Sequence, residues 1–301
     1  MKKIIFLLLF MYNLGIIFAQ TQQIYIAGQD GNDAVYWLNE RRTVLPRSGE
    51  YASVNTITVS DSNIYAVGRD GDDAVYWLNG RRILLPKIRD EASAMSITIV
   101  DSNIYIVGYD GADAVYWLNG NRTVLPKTGR EARAWGVVVF GSDIYINGSD
   151  AADAVYWLNG RRIVLPNISN FAMSTAIIVS DSNIYIVGSD GDNAVYWING
   201  RRRLLPTTRG NEAFASGIAI SGSNIYIVGT DGDHAVYWLN ESRILLSNMG
   251  HQAEAVAIAI TDSNIYIVGV DDYDAVYWLN GRRNVLSSID DAFPGTLFIA
   301  Q

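Results

Sequence analysis

Asp33-Ala34-Val35-Tyr36-Trp37-Leu38-Asn39 is the stretch on which the reading of this chain turns, because it recurs six more times with small edits. Its indole falls at Trp37, Trp77, Trp117, Trp157, Trp197, Trp238 and Trp278, five spacings of 40 residues and one of 41. A fixed period of this length means stacked structural units and outranks any local signal. In an extended chain Val75 and Trp77 point to one side, and Ala74, Tyr76 and Leu78 to the other. Both sides are apolar, so both must be covered.

Working outward from Trp157, the unit reads AWGVVVF at 134 to 140, SDIYING at 142 to 148, DAVYWLNG at 153 to 160 and RRIVLP at 161 to 166. Each run is rich in Val, Ile, Tyr or Trp and bounded by Gly, Asn, Asp or Ser, which predicts four strands per unit. No long window keeps a helical rhythm of apolar residues, so helical repeats are excluded. Between third and fourth strands stands Asn-Gly, as in Asn79-Gly80 and Asn159-Gly160, a strong hairpin signal; Asn39-Glu40 and Asn240-Glu241 depart from it. Gly68-Arg69-Asp70-Gly71 and its counterparts predict the turn between second and third strands. The fourth strand is expected to end at Pro46, Pro86, Pro126, Pro166 and Pro206, which suits an edge, with Arg doublets such as Arg81-Arg82 discouraging edge-to-edge pairing.

The repeat is cut in an informative place. The first strand-like segment, Gln22-Gln23-Ile24-Tyr25, stands where Ser223-Asn224-Ile225-Tyr226 stands in a complete unit, at the second strand. At the other end, residues 292 to 299 match Ala213 to Ile220, a first strand. The C-terminal strand is therefore expected to complete the N-terminal unit and seal a ring.

On these motifs the chain from about residue 22 to 301 resembles a seven-bladed β-propeller of the general kind formed by WD-repeat and kelch proteins. It lacks the Gly-His and Trp-Asp pair of the former and the Gly-Gly doublet of the latter. The unit IYIVGxDGxDAVYWLNG is more similar to the near-identical repeats of secreted bacterial propellers of unassigned role. The resemblance implies an all-β fold of seven blades, four antiparallel strands in each, the C-terminal strand closing the N-terminal blade. It is specific for fold and silent on activity.

Composition bounds the rest. With 49% apolar and 18% charged residues the chain is globular, and without Cys it must hold itself by packing alone. Met1 to Ala19 carries Lys2 and Lys3, then an uncharged run from Ile4 to Phe18, and reads as a signal peptide cleaved after Ala19. That leaves residues 20 to 301 as one exported domain, secreted or periplasmic, with no membrane span and monomeric. The competing reading is a membrane anchor, for which the apolar run is short and interrupted by Asn13 and Gly15. Cleavage removes two lysines and no acid, so a net charge of −8 becomes −10, which argues against nucleic-acid partners.

Two sets of positions vary between units: the stretch joining strand four to the next strand one, and the residue after the strand-two glycine. Both fall on one predicted face of the disc, so a protein or glycan ligand is expected there, on Tyr51, Tyr109, Arg130, Arg133, Trp135 and Phe171. The alternative is a lectin-like module with several equivalent sugar pockets built from the repeated Trp, Tyr, Asp and Asn. The plainest alternative is loops that drift unconstrained. Turn aspartates such as Asp70, Asp72, Asp110 and Asp190 could suggest Ca²⁺, but short turns supply few of the oxygens that ion needs, and Asp in a turn ordinarily caps its own backbone. His234 and His251 are the only histidines, each at a place occupied by other residues elsewhere, so no triad, metal, cofactor or catalytic residue is expected.

Overall fold

The computed structural model describes residues 22 to 246, 252 to 261, 263 to 289 and 292 to 300. The proposed signal segment, His251 and Gln301 lie outside them. Twenty-eight strands form seven four-stranded antiparallel sheets, the blades of a propeller. Blade 2 is representative: inner strand Ala52–Ser60, second Asn63–Asp70, third Asp73–Leu78 and outer strand Arg81–Leu84. The inner strands of successive blades touch all the way round, so the ring is closed.

Closure occurs in blade 1, as the cut in the repeat predicts. Strand Phe293–Ala300 lies inside Gln23–Asp30, with Ile299 opposite Ile24 and Leu297 opposite Ile26. Side chains add to this seam between blades 7 and 1. Tyr277 Oη donates to Glu40 at 2.5 Å, and Ser287 Oγ to Asp30 at 2.7 Å.

The two sides of the DAVYWLN strand separate as alternation requires. Val75 and Trp77 pack with Ile57, Ala66 and residues of blade 1, while Ala74 packs with Ile97, Ile106 and Trp117 of blade 3, joined by Tyr76. Seven such clusters fill the seven inter-blade spaces. All seven repeated Trp side chains are at most 1% exposed. The indole N–H still needs a partner inside. Trp77 Nε1 donates to the Pro46 carbonyl of the previous blade at 2.8 Å, and Trp117, Trp157, Trp197 and Trp238 repeat the bond on Pro86, Pro126, Pro166 and Pro206. The prolines thus lie just beyond the four-residue outer strands rather than within them, and their carbonyls tie blade to blade.

The Asn-Gly turns are pinned in the same repetitive way. Asn79 has φ 50° and Gly80 φ 79°, a left-handed pair that Asn and Gly tolerate. The Asn79 carboxamide oxygen accepts the Ile64 N–H at 2.9 Å, and all seven blades carry the equivalent bond. Glu40 and Glu241 occupy the glycine place at φ 68° and 67°, a conformation costing roughly 1 kcal/mol for a residue with a Cβ. Each carboxylate accepts a hydrogen bond from the tyrosine of the preceding blade, Tyr277 and Tyr196 respectively, which offsets the strain.

One turn assignment needs correction. Gly68, Arg69 and Asp70 belong to the second strand, and only Gly71-Asp72 turns. Gly68 is required by close approach: a Cβ there would lie 1.9 Å from the Ser53 carbonyl oxygen. The inner strand carries a bulge next to this contact, where the register shifts between Val54 and Thr56.

Candidate ligand-binding face

In a four-stranded meander the turns after strands two and four share one face of the disc, and the two variable sets meet there. The loops on this face are held from beneath by aspartates. Asp70 is buried, and its carboxylate accepts the N–H groups of Ser48 at 2.8 Å and Gly49 at 2.7 Å and pairs with Arg82 Nε at 2.5 Å. Asp110, Asp150, Asp190 and Asp231 likewise pair with Arg122, Arg162, Arg202 and Arg243. These aspartates therefore clamp the loop entering their blade, some twenty residues upstream, rather than capping their own turn, and the second arginine of each doublet is committed to the clamp. For Asp70, burial raises the pKa, but the Gly49 and Ser48 N–H groups and Arg82 outweigh it and hold the carboxyl below the usual range. Asp150, Asp190 and Asp231 are lowered in the same way, against burial, by loop N–H and hydroxyl donors and their arginines. Among the described residues no group of three or more His, Cys, Asp or Glu is placed to hold a metal ion.

Above the clamps, part of the expected site is assembled. The Arg133 guanidinium lies 4.0 Å from the centroid of the Tyr109 ring and donates to the Gly111 carbonyl at 2.6 Å. Arg69 lies 4.9 Å from the Tyr51 ring and bridges to Glu91 at 3.2 Å, while Tyr109 Oη donates to the same carboxylate at 3.4 Å. Tyr51, Arg69, Glu91, Tyr109 and Arg133 thus form one continuous patch over blades 2 to 4, with Glu131 pairing to Arg133 at its end. Burial raises the Tyr109 pKa; Glu91 adds to the rise, and Arg69 and Arg133 oppose it. Arg130 and Phe171 are exposed on the loops entering blades 4 and 5 and stand outside this network, Phe171 with 51% of its surface free.

Trp135 is elsewhere. It is the bulged residue of the inner strand Ala132–Phe140 and lines the cavity on the propeller axis, not the outer loop surface. The bulge swings this position inward in every blade, so the axial wall carries Gly295, Asn55, Met95, Trp135, Thr175, Ser216 and Val256, seven different residues at one structural place. Asn55 and Thr175 use their polar groups on the next blade, donating to the Ala94 and Ala215 carbonyls at 2.8 and 2.7 Å. Trp135 Nε1 and Ser216 Oγ are buried without a hydrogen-bond partner among the described residues. Two residues nearer the loop face stands a second ring: Phe293, Ser53, Ser93, Arg133, Met173, Phe214 and Glu254. Met173, Phe214, Glu254 and Phe293, from four consecutive blades, also line the cavity of about 520 Å³. Burial raises the Glu254 pKa.

Sequence reasoning overlooked Arg69, Glu91 and Glu131 in the patch and every axial residue except Trp135. The signal for the axis was present. Compared position by position, the first strands differ most at the bulge, where all seven residues are different.

No family model matches the chain, and no curated protein matches it in sequence. Solved structures do match in shape. A computationally designed protein, Ika8, aligns over 91% of this chain and 87% of its own at 13% identity, TM-score 0.52. A structure of the nidogen/laminin complex aligns over 93% and 98% at 12% identity, TM-score 0.51. The extracellular domain of a protein assigned as a one-component system from B. thetaiotaomicron aligns over 87% of this chain and 39% of its own at 9% identity, TM-score 0.56. At these identities the likeness is one of fold alone, and what this chain shares with them is the propeller.

Proposed function

We propose that this is an exported propeller whose loop face binds a macromolecular ligand, a protein or a glycan, without catalysing its conversion. The observation that carries the reading is the patch running from Tyr51 through Arg69, Glu91 and Tyr109 to Arg133: five side chains from positions that vary between units, joined across three blades. Arginine and tyrosine held rigidly by stacking lose little freedom on contact and dominate binding surfaces. Unconstrained drift of loop sequence gives no reason for such residues to meet. The lectin-like alternative is disfavoured, because the repeated Trp are buried between blades, with the N–H groups of Trp77, Trp117, Trp157, Trp197 and Trp238 already engaged. Export is supported by the pattern of residues 1 to 19, and kinship with exported bacterial propellers belongs to the same proposal.

The test is a glycan array and an extracellular-protein array probed with the mature chain and with Tyr109→Ala/Arg133→Glu. The reading expects a ligand bound by the mature chain and weakened at least about 10-fold by the double variant. A ligand bound equally by both places the site elsewhere and defeats it.

A further inference from the structure

The axial cavity has a chemistry of its own, distinct from that patch. Of the residues lining it, one is charged: Glu254, the second residue of its inner strand. Its neighbours at the same level on the adjoining blades are Phe214 and Phe293, and the Trp135 side chain stands three blades away around the ring of seven, across the axis. Most of the accessible wall is apolar. A carboxylate in apolar surroundings is poorly solvated. Glu254 has neither a salt bridge nor a hydrogen-bonded cation among the described residues, and burial raises its pKa. The ring faces beside it attract positive charge rather than negative.

The approach is acidic as well. From Phe214 and Glu254 the cavity continues into a groove on the loop face, lined also by Asp192, Glu212 and Asp233 and, among the described residues, by no Lys, Arg or His. These three carboxylates have no ion pair among the described residues. A cleft lined by one sign of charge concentrates ions of the other sign.

We propose that the axial cavity binds a small organic monocation, an amine with an apolar body, its ammonium group on Glu254 between Phe214 and Phe293 and its apolar part toward Trp135. A cavity of about 520 Å³ is of the size that takes such molecules. The site requires nothing of Tyr109 or Arg133, so it stands or falls separately from the macromolecular face.

Three probes of one shape separate charge from shape: 2-phenylethylamine, 2-phenylethanol and 3-phenylpropionate, titrated into the whole chain by calorimetry, with Trp fluorescence as a second readout. The amine is expected to saturate one site, the alcohol to bind about 10-fold more weakly and the acid not at all. Glu254→Gln, which keeps shape and removes charge, is expected to reduce amine binding about 10-fold and leave the alcohol unchanged. Phe214→Leu should also weaken the amine, and Tyr109→Ala/Arg133→Glu should not. Unchanged circular dichroism and melting temperature verify that each variant is folded. Equal affinity for amine and alcohol, amine binding indifferent to Glu254→Gln in a folded variant, or no saturable amine binding at all overturns the proposal.

Discussion

The two faces of the disc are built by opposite means. On the Asn-Gly face the side chain itself is the fastener: Asn79 and its six counterparts each accept a strand-two N–H, so the residue cannot change without losing the bond. On the loop face the fastener is buried and acts on backbone. Asp70 grips the N–H groups of Ser48 and Gly49, Asp110 those of Ile88 and Arg89, and Asp190 those of Ile168 and Ser169. Because backbone atoms are gripped, Ser, Ile or Thr may stand at the same place, and outward side chains are free to differ. Sequence variety on one face and uniformity on the other thus follow from where the clamping side chain stands, in the turn itself on the Asn-Gly face and in strand two beneath the loop on the other.

The contrast can be broken experimentally. The largest effect is expected from deleting residues 292 to 301, which strips blade 1 of its inner strand and exposes an unpaired edge; loss of a cooperative urea transition, with aggregation, is the expected outcome. Next comes Trp157→Ala, at about 3–5 kcal/mol of unfolding free energy by urea titration, because a buried indole and its bond to Pro126 are lost together. Asp150→Ala is expected to cost about 3 kcal/mol, since it leaves Arg162 and two loop N–H groups without their carboxylate. A cost near zero there would mean the loops are not held by these aspartates. Asn159→Ala loses one backbone bond and retains a left-handed turn, for about 1–2 kcal/mol. The smallest effect belongs to exposed loop-face residues: Phe171→Ala and Arg130→Ala should change stability by less than about 0.5 kcal/mol.

Acid should sharpen the same contrast. Asp70, Asp150, Asp190 and Asp231 have folded-state pKa values below the usual one, so the stability they add is fully present above the unfolded value, about pH 4. It is lost as pH falls from there through the lowered folded values. Melting temperature is expected to hold steady from neutral pH to that point and then drop, with the drop reduced in Asp150→Ala. A decline starting well above pH 5 would show that other groups govern acid unfolding.

Much of the architecture was legible because a repeat states its own period. Seven Trp at regular spacing, Asn-Gly turns and a displaced first strand were sufficient for blade number, strand count and closure. The Asp–Arg clamp was legible too, in an aspartate and an arginine twelve residues apart in all seven units, but the arginines read as edge protection and the aspartates as turn caps. Tyr51, Tyr109 and Arg133 were singled out because their positions vary between units, and Arg69 stands in the same pattern. Trp135 was assigned to the outer surface because its inward turn depends on a bulge, and nothing in its own residue type announces one.

The sequence alone therefore determined the unit, its number of copies and the means of closing the ring, because these are periodic and each copy repeats the message. Only the tertiary structure decided which non-repeated residues become neighbours. Glu254 meets Phe214 and Phe293, and Arg133 meets Tyr109, because wrapping seven blades around one axis brings together side chains from different units. That proximity is a property of the closed ring and of the inner-strand bulges, and no single repeat contains it.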